Sequence, residues 1–533
     1  MQWKDRVLAS SSAGRRERWK PGLDSWAPMR RPLPLAPRPL FALALALAAL
    51  FAACGGTEEE PPVDAPPTPP IPSFASWPQP IHVVVFLIDT LRADRLSLYG
   101  YGRATSPNLE ALAAESVVFE DAIAPSPWTL PSVTSLMLSE FVGRHGVVKD
   151  GDRIADDAVP IAARMQALGY RTRSVFRNPY AGPMSGLDRG FETATLANRV
   201  VGAADVEACF AEDDPRPLFL YLHNVLPHDP YRPEASFLAR FGEVAPEEVD
   251  AIAEIQDDYR RLTRHNRPGM RPPGRGDTSD RQGALMAELA ERVDAINLLY
   301  DAEVAQADAE VGRTVEALKV AGVWDETLFL VLSDHGEEMG EHGGWEHDQS
   351  LYEELVHVPL VIHFPYGMYG GRRFERPVSL LDVAPTILDC AGQPPSEGFG
   401  SGGSLLIWFA ANADPAAGPF VMSWRVNRKK YYRPFDELRG DENIALRDGN
   451  WKGIWNVDRG TLELYDLATD PGETLNVSWT EPERSRLFRE TAVEWREEFG
   501  TSLGPEAPPA AVELDQADRA ALRALGYVDE GGH

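Results

Sequence analysis

The sequence predicts an α/β fold, in which a mixed, mostly parallel sheet is sandwiched by helices and followed by a small antiparallel C-terminal subdomain. Up to about residue 405, short apolar runs alternate with amphipathic stretches, a pattern typical of buried strands covered by helices. Beyond that point, short strand candidates are separated by turns. The length of 533 residues exceeds that of one small domain and allows a sizeable core.

Four apolar runs carry the strand prediction for the sheet. Ile81–Ile88 is nearly continuous, rich in β-branched residues, and ends at Asp89. The other three runs are Leu218–Leu222, Leu328–Leu332 and Pro359–Phe364. Helices are predicted between the runs at Pro107–Ala114, Val159–Ala167 and in the region 283–321. Strands of the C-terminal subdomain are predicted at Phe420–Val426, Asn443–Leu446, Trp451–Trp455 and Leu462–Leu467.

Residues 1–54 are predicted to be a leader with a lipoprotein-type signal. Arginines precede an apolar run over 41–53, which is shorter than the roughly 20 residues that a membrane span needs. Cys54 follows directly, and LFAAC resembles a bacterial lipoprotein signal whose cysteine carries the lipid. An uncleaved anchor or a plain signal peptide is the alternative. Residues 55–80 read as a Pro-rich linker, so we expect an extracytoplasmic, membrane-anchored lipoprotein of the periplasm or cell surface.

Charge and cysteine content exclude several classes of protein. Lys and Arg total 52, Asp and Glu total 81, and the formal net charge is −29. Such an acidic chain has no overall attraction for nucleic acid, so no nucleic-acid partner is expected. Three cysteines cannot build a disulfide scaffold, and no CxxC spacing indicates a thiolate metal site.

Four segments place chemically active residues after predicted strands or at the start of a predicted helix. They contain Asp89, Thr129, then His223 and His228, and finally Asp334, His335, His342 and His347. Carboxylates and imidazoles together suit a divalent transition metal, which would activate a neighbouring threonine hydroxyl as a nucleophile. The N-terminus of the Thr129 helix favours a tetrahedral anion such as phosphate or sulfate. Taken singly, each segment also has an ordinary explanation as a cap, a turn or a local hydrogen bond.

Together these segments resemble the sulfatase family of the alkaline-phosphatase-like superfamily. DTLRADRLSLYGY is similar to its first metal motif, SPWTLPSVTSLM to its nucleophile helix, PHDPY to its substrate-side histidine motif, and SDHGEEMGEHG to its second metal motif. LLDVAPTILDCAG, LYDLATDPGETLN and LRALGYV resemble its C-terminal signature. We therefore expect a sulfatase-like catalytic domain over 81–405, a C-terminal antiparallel subdomain over 406–500 and a tail over 501–533. The resemblance implies an anionic sulfate or phosphate ester as substrate.

Departures from the family pattern change the expected mechanism. Sulfatases convert a Cys or Ser to formylglycine, whereas the matching residue here is Thr129, which cannot be converted, and Val133 stands where the family has an arginine. Thr90 and His335 replace oxygen ligands of the calcium-type site, so the resemblance implies a divalent metal with zinc favoured over calcium or manganese. The implied metal set, shared with threonine-nucleophile phosphodiesterases and phosphoethanolamine transferases, is Asp89, Thr129, Asp334 and His335.

Two further histidines have alternative roles. The resemblance implies that His228 and His347 bind a second metal, or that they steady the anion and protonate the leaving group; structural hydrogen bonding is the remaining alternative. The expected function is a sulfatase-like, metal-dependent hydrolase of sulfate or phosphate esters. A phosphoethanolamine-type transferase and a non-catalytic binding protein on a decayed sulfatase fold are the alternatives. Residues 242–285 read as an insertion or lid, or equally as an inert surface loop.

Overall fold

The computed structural model describes residues 78–264, 275–393, 399–409, 420–426 and 442–500, together with positions 516, 520 and 521. The signal over 1–54 with its lipidation residue Cys54, linker residues 55–77 and most of the tail lie outside the described residues. Their assignments, like the boundaries drawn at 405 and 500, stay predictions. Within the described ranges, no helix is long and apolar enough to cross a bilayer.

A nine-stranded, mostly parallel sheet forms the centre of the protein, as predicted. Its strands are β1 His82–Ile88, β2 Val117–Ile123, β3 Arg171–Phe176, β4 Thr193–Leu196, β5 Leu218–Asn224, β6 Thr327–Leu332, β9 His357–His363, β10 Arg372–Phe374 and β11 Val378–Ser379, and a separate ribbon pairs β7 Glu338–Met339 with β8 Trp345–Glu346. Eight strands of the sheet follow the order β10-β2-β9-β6-β1-β5-β3-β4, β11 pairs with β2, and only β9 runs antiparallel to its neighbours.

Helices cover both faces of this sheet, which explains why its central strands are mostly apolar. Along β1, Val83 and Val85 enter one hydrophobic core, while Val84 and Phe86 enter the core on the opposite face. The helices are α1 Pro107–Ala113, α2 Thr129–Leu138, α3 Val142–His145, α4 Ile161–Ala167, α5 Ala203–Phe210, α6 Ala235–Leu238, α7 Pro246–Arg264, α8 Arg275–Glu291, α9 Val293–Val320, α10 Glu353–Val356, α11 Val383–Cys390 and α12 Pro482–Phe499. Helices α2, α4 and α11 pack on the first face, and α1, α5 and α9 on the second.

The structure differs from the sequence-based expectation in two helical regions and in two strands. The predicted helical region 283–321 is divided between α8 and α9. The described part of 242–285 is largely helical, in α7 and α8, so the surface-loop alternative is wrong there; residues 265–274 lie outside the described residues. Strands β2 and β3 were not predicted, because charged residues interrupt their apolar pattern.

The C-terminal sheet is antiparallel, as predicted, with β12 Val421–Val426, β13 Glu442–Asp448, β14 Trp451–Asn456 and β15 Thr461–Asp466 in sequence order. One face packs against α12 through residues such as Trp424 and Phe488. The other face meets the catalytic body, where Val421 and Ile454 share a core with Leu355. A buried ion cluster strengthens this junction: the ammonium of Lys452 lies 2.9 Å from carboxylate oxygens of both Glu353 and Glu473.

We predict that Lys452→Met lowers the free energy of unfolding by about 3–5 kcal/mol, because it removes the fully buried cation that Glu353 and Glu473 share. Lys319→Met is the matched control, since its 3.1 Å pair with Glu115 is exposed and should contribute less than about 1 kcal/mol. Urea unfolding followed by tryptophan fluorescence measures both effects. Equal losses in the two variants would contradict the role assigned to the buried cluster.

Candidate active site

The carboxyl ends of two neighbouring strands and the start of one helix bring the first group of site residues together. Asp89 follows β1, and Asp334 and His335 follow β6, which pairs with β1 in parallel register. Thr129 is the first residue of α2. Because parallel strands end at the same edge of a sheet, these residues meet there, and all four are fully buried. The hydroxyl of Ser132, one turn into α2, donates to the carbonyl of Asp334 at 2.6 Å and ties the helix to the β6 loop.

The hydroxyl of Thr129 lies at the centre of this group. Its Oγ1 donates to Asp89 Oδ1 at 3.4 Å and lies 3.2 Å from His335 Nε2. The Asn178 amide donates to the same hydroxyl at 3.2 Å and to Asp89 Oδ2 at 2.9 Å. His223 Nε2 also contacts Asp89 Oδ2, at 3.1 Å. The nucleophile predicted from the sequence is therefore held on three sides.

Burial and charge set the protonation of the group. Burial raises the pKa of Asp89, but the hydrogen bond from His223 and the charges of nearby imidazoles outweigh it, so the pKa falls below its ordinary value. Burial raises the pKa of Asp334 well above its usual range, and the negative charge of Asp89 adds a smaller increase. Burial lowers the pKa of His335 to about 4, so its ring is neutral at pH 7.

Asp89, Asp334 and His335 fit a divalent cation. The donor atoms of these three residues lie within 4.8 Å of one another. His335 Nδ1 donates to the carbonyl of Gly336 at 2.9 Å, so the lone pair of the neutral ring is on Nε2, which faces the carboxylates. Asp334 Oδ2 is buried and has no hydrogen-bond partner. A cation coordinated here would satisfy that oxygen and neutralise the repulsion that raises the pKa of Asp334.

A second group lies beside the first. Donor atoms of His228, Asp229 and His347 lie within 4.8 Å of one another, and the ring centroids of His347 and His335 are 4.8 Å apart. His228 Nδ1 donates to the carbonyl of Asp229 at 2.6 Å, and His347 Nδ1 lies 2.9 Å from Glu337 Oε1. The structure thus brings His228 and His347 together, with rings 5.1 Å apart, next to the Thr129 group.

The backbone around these residues is strained. Thr90, directly after Asp89, has φ of 54°, and the residues on either side of His347 have φ of 69° for Glu346 and 76° for Asp348. A positive φ is rare outside glycine and is unusual for a β-branched residue. Thr90 is held there because its hydroxyl donates to the carbonyl of Pro227 at 2.7 Å and its own carbonyl accepts from Tyr300 at 2.8 Å. Such strain at ligand-bearing loops is typical of functional sites.

Four site residues were not identified from the sequence: Asn178, Asp229 and Glu337 were not singled out, and His223 was left without a role. Asn178 follows the unpredicted strand β3, so recognising that strand would have placed it at the same sheet edge. The remaining histidine of the second metal motif, His342, contacts other residues: its Nδ1 is 2.6 Å from Glu354 Oε1, and its ring stacks on Tyr352.

Comparisons with known proteins identify the family of this chain. The profile of the Sulfatase family matches residues 81–393, and that of the N-sulphoglucosamine sulphohydrolase C-terminal region matches residues 340–495. Choline-sulfatase of Rhizobium meliloti (strain 1021) is 26% identical over 493 residues, 82% of this chain and 90% of the relative. Arylsulfatase K of Mus musculus is 35% identical over 199 residues, 35% of this chain and 33% of the relative.

Solved structures share the fold. The crystal structure of the phosphonate monoester hydrolase of Agrobacterium radiobacter superposes with a TM-score of 0.61 at 20% identity, covering 79% of this chain and 96% of that protein. BT4656, solved in complex with its substrate D-glucosamine-2-N,6-O-disulfate, also gives a TM-score of 0.61, at 18% identity over 79% of this chain and 98% of that protein.

We predict that zinc added to EDTA-treated protein raises its thermal stability, and that Asp334→Asn abolishes most of this gain. An ion at 100 times its dissociation constant stabilises by about 2.7 kcal/mol, and the substitution removes a coordinating carboxylate. Differential scanning calorimetry with and without zinc measures the gain. Asp308→Asn is the control, because Asp308 is also buried but binds the backbone amides of Asn108 and Leu109. An equal gain in the wild type and Asp334→Asn would contradict the assignment.

Proposed function

Because this chain belongs to the sulfatase family, we propose that it is a metal-dependent hydrolase of sulfate or phosphate-type esters in which Thr129 is the nucleophile. The observation that carries this proposal is the position of Thr129. This residue begins a helix, and its Oγ1 lies 3.4 Å from Asp89 Oδ1 and 3.2 Å from His335 Nε2. A nucleophile at a helix N-terminus faces backbone amides that favour a tetrahedral anion.

The metal would be held by Asp89, Asp334 and His335, with Thr129 as the fourth ligand. When bound, a divalent cation lowers the pKa of the threonine hydroxyl and polarises a non-bridging oxygen of the ester. Two carboxylates with an imidazole suit zinc better than calcium, which prefers oxygen ligands alone. Zinc is therefore the cofactor that we propose.

The residues of this chain support a double displacement. Thr129 Oγ1 loses its proton and forms a bond to sulfur or phosphorus as the bond to the leaving-group oxygen breaks, and that oxygen gains one proton, so the proton count is unchanged. Water then attacks the same sulfur or phosphorus, releases the inorganic or organic anion and restores the hydroxyl. Asn178, which donates to Thr129 and Asp89, fixes the direction of attack. Because no aldehyde is formed from threonine, this route does not require formylglycine.

We assign His228 and His347 to the leaving-group side. Nδ1 of His228 is hydrogen-bonded to the Asp229 carbonyl, and Nδ1 of His347 is hydrogen-bonded to the Glu337 carboxylate. These contacts fix the orientation of each ring. In the imidazolium form, Nε2 of either residue can then donate to an ester oxygen or pass it a proton. Transfer to an acceptor hydroxyl instead of water would make the enzyme a transferase, and product analysis separates the two reactions.

The substrates named for similar proteins guide the choice of assay. Choline-sulfatase and the phosphonate monoester hydrolase point to sulfate esters and phosphonate monoesters. We propose these two ester classes, with phosphodiesters, as the first substrates to test.

We predict that Thr129→Ala lowers kcat/KM on any ester that the wild type hydrolyses by on the order of 10³-fold or more, because the covalent step is lost. Thr129→Ser keeps a hydroxyl and should retain measurable turnover. Thr134→Ala is the matched control, since that hydroxyl lies on the same helix but donates to the carbonyl of Leu130. Steady-state assays on aryl sulfate, phosphomonoester, phosphodiester and phosphonate substrates measure the change. Equal activity of wild type and Thr129→Ala would exclude Thr129 as the nucleophile, and no turnover at all by a zinc-loaded wild type would favour a binding protein.

We also propose that the protein acts outside the cytoplasm, anchored through lipid on Cys54. The signal-like sequence ahead of this residue supports the proposal. Cys54→Ala should move the protein from the membrane fraction to the soluble fraction, as measured by fractionation and immunoblotting. Retention of the variant in the membrane fraction would count against the lipid anchor.

A further inference from the structure

A buried arginine from outside the sequence motifs reaches the second group of site residues. Arg260 belongs to α7, in the region that the sequence left open as an insertion or lid, and it is 1% exposed. Its Nη1 lies 2.7 Å from Asp229 Oδ2 and donates to the Asp229 carbonyl at 3.4 Å. Its Nη2 pairs with Asp257, and its Nε lies 3.7 Å from Glu346, the residue before His347.

The contact between Arg260 and Asp229 changes what the His228, Asp229 and His347 group can bind. Two imidazoles and a carboxylate would ordinarily form a three-ligand set for a transition metal. The Asp229 carboxylate, the one anionic member of that set, is already paired with a guanidinium, which stays protonated at any physiological pH. A cation arriving at this set would meet the positive charge of Arg260 and would have to separate a buried ion pair.

We infer that Arg260 takes the place of a second metal ion, so that the enzyme binds one ion, at Asp89, Asp334 and His335, and keeps His228 and His347 as hydrogen-bonding groups. The inference rests on the proposed function for the identity of the first ion site. It assigns Arg260 as a positioning residue: through Asp229 it fixes the segment that bears His228, and its own positive charge lies beside the Asp229 carboxylate.

The charge count of the two groups differs in a way that supports this assignment. The Asp89 group holds two carboxylates, and the described structure places no Lys or Arg in salt-bridge contact with either of them. The Asp229 group holds one carboxylate, and Arg260, which also pairs with Asp257 and lies near Glu346, is in contact with it. Of the two groups, only the second therefore has a buried arginine against its carboxylate.

Zinc stoichiometry tests the inference directly. EDTA-treated full-length protein is loaded with excess zinc, freed of unbound ion by gel filtration, and analysed by inductively coupled plasma mass spectrometry. We expect one zinc per chain in the wild type, none in Asp334→Asn, two in Arg260→Met, and one in Arg260→Met combined with Asp229→Asn. Arg261→Met is the matched control on the same helix, since its pair with Asp258 is exposed, and it should bind one zinc.

Two results overturn the inference: two zinc ions in the wild type, or one zinc retained in Asp334→Asn, which would mean that the histidine group binds metal despite Arg260. The second result does not depend on whether Arg260→Met folds. No zinc in the wild type together with one in Arg260→Met would instead sustain the role of Arg260 in excluding a metal ion from the histidine group and reject the proposed metal site at Asp334.

Discussion

Two carboxylates and one neutral imidazole converge at the edge of the central sheet with more lone pairs than protons to share among them. Asp89 is ionised, His335 has lost its proton through burial, and Asp334 is held near the charge of Asp89. A hydrophobic core on each side keeps water away from the strands that bear them. Such a concentration of buried hydrogen-bond acceptors is stable only if a bound cation or a shared proton compensates their negative charge.

The architecture around this group prevents it from relaxing. Parallel pairing of β1 with β6 fixes the two carboxylates side by side, and the hydroxyl of Ser132 attaches the Thr129 helix to the same loop. Thr90 is kept at a positive φ by the hydrogen bond that its hydroxyl donates to Pro227 and the one that its carbonyl accepts from Tyr300. The C-terminal sheet supports the site indirectly, because it packs against α10. The carbonyl of Glu354 in α10 accepts a hydrogen bond from the amide of Glu337 at 3.0 Å. Glu337 in turn orients His347.

Much of this could be predicted from the sequence, for definite physical reasons. Central strands such as His82–Ile88 are apolar at nearly every position because both faces are covered, and that pattern is visible without a structure. Asp89 and Asp334 were recognisable because each ends such a run. Asn178 was missed because β3 carries arginines at Arg171 and Arg173 and does not look like a buried strand. Arg260 could not be found from any pattern, since its role depends on how a polar helix packs across the site, which sequence spacing does not encode.

The most direct test of the central claim is a crystal structure of zinc-loaded protein with anomalous diffraction recorded at the zinc edge. The account predicts one anomalous peak, within coordination distance of Asp89, Asp334 and His335 and adjacent to Thr129 Oγ1. A protein that shows no peak there, or whose zinc lies elsewhere, would contradict it.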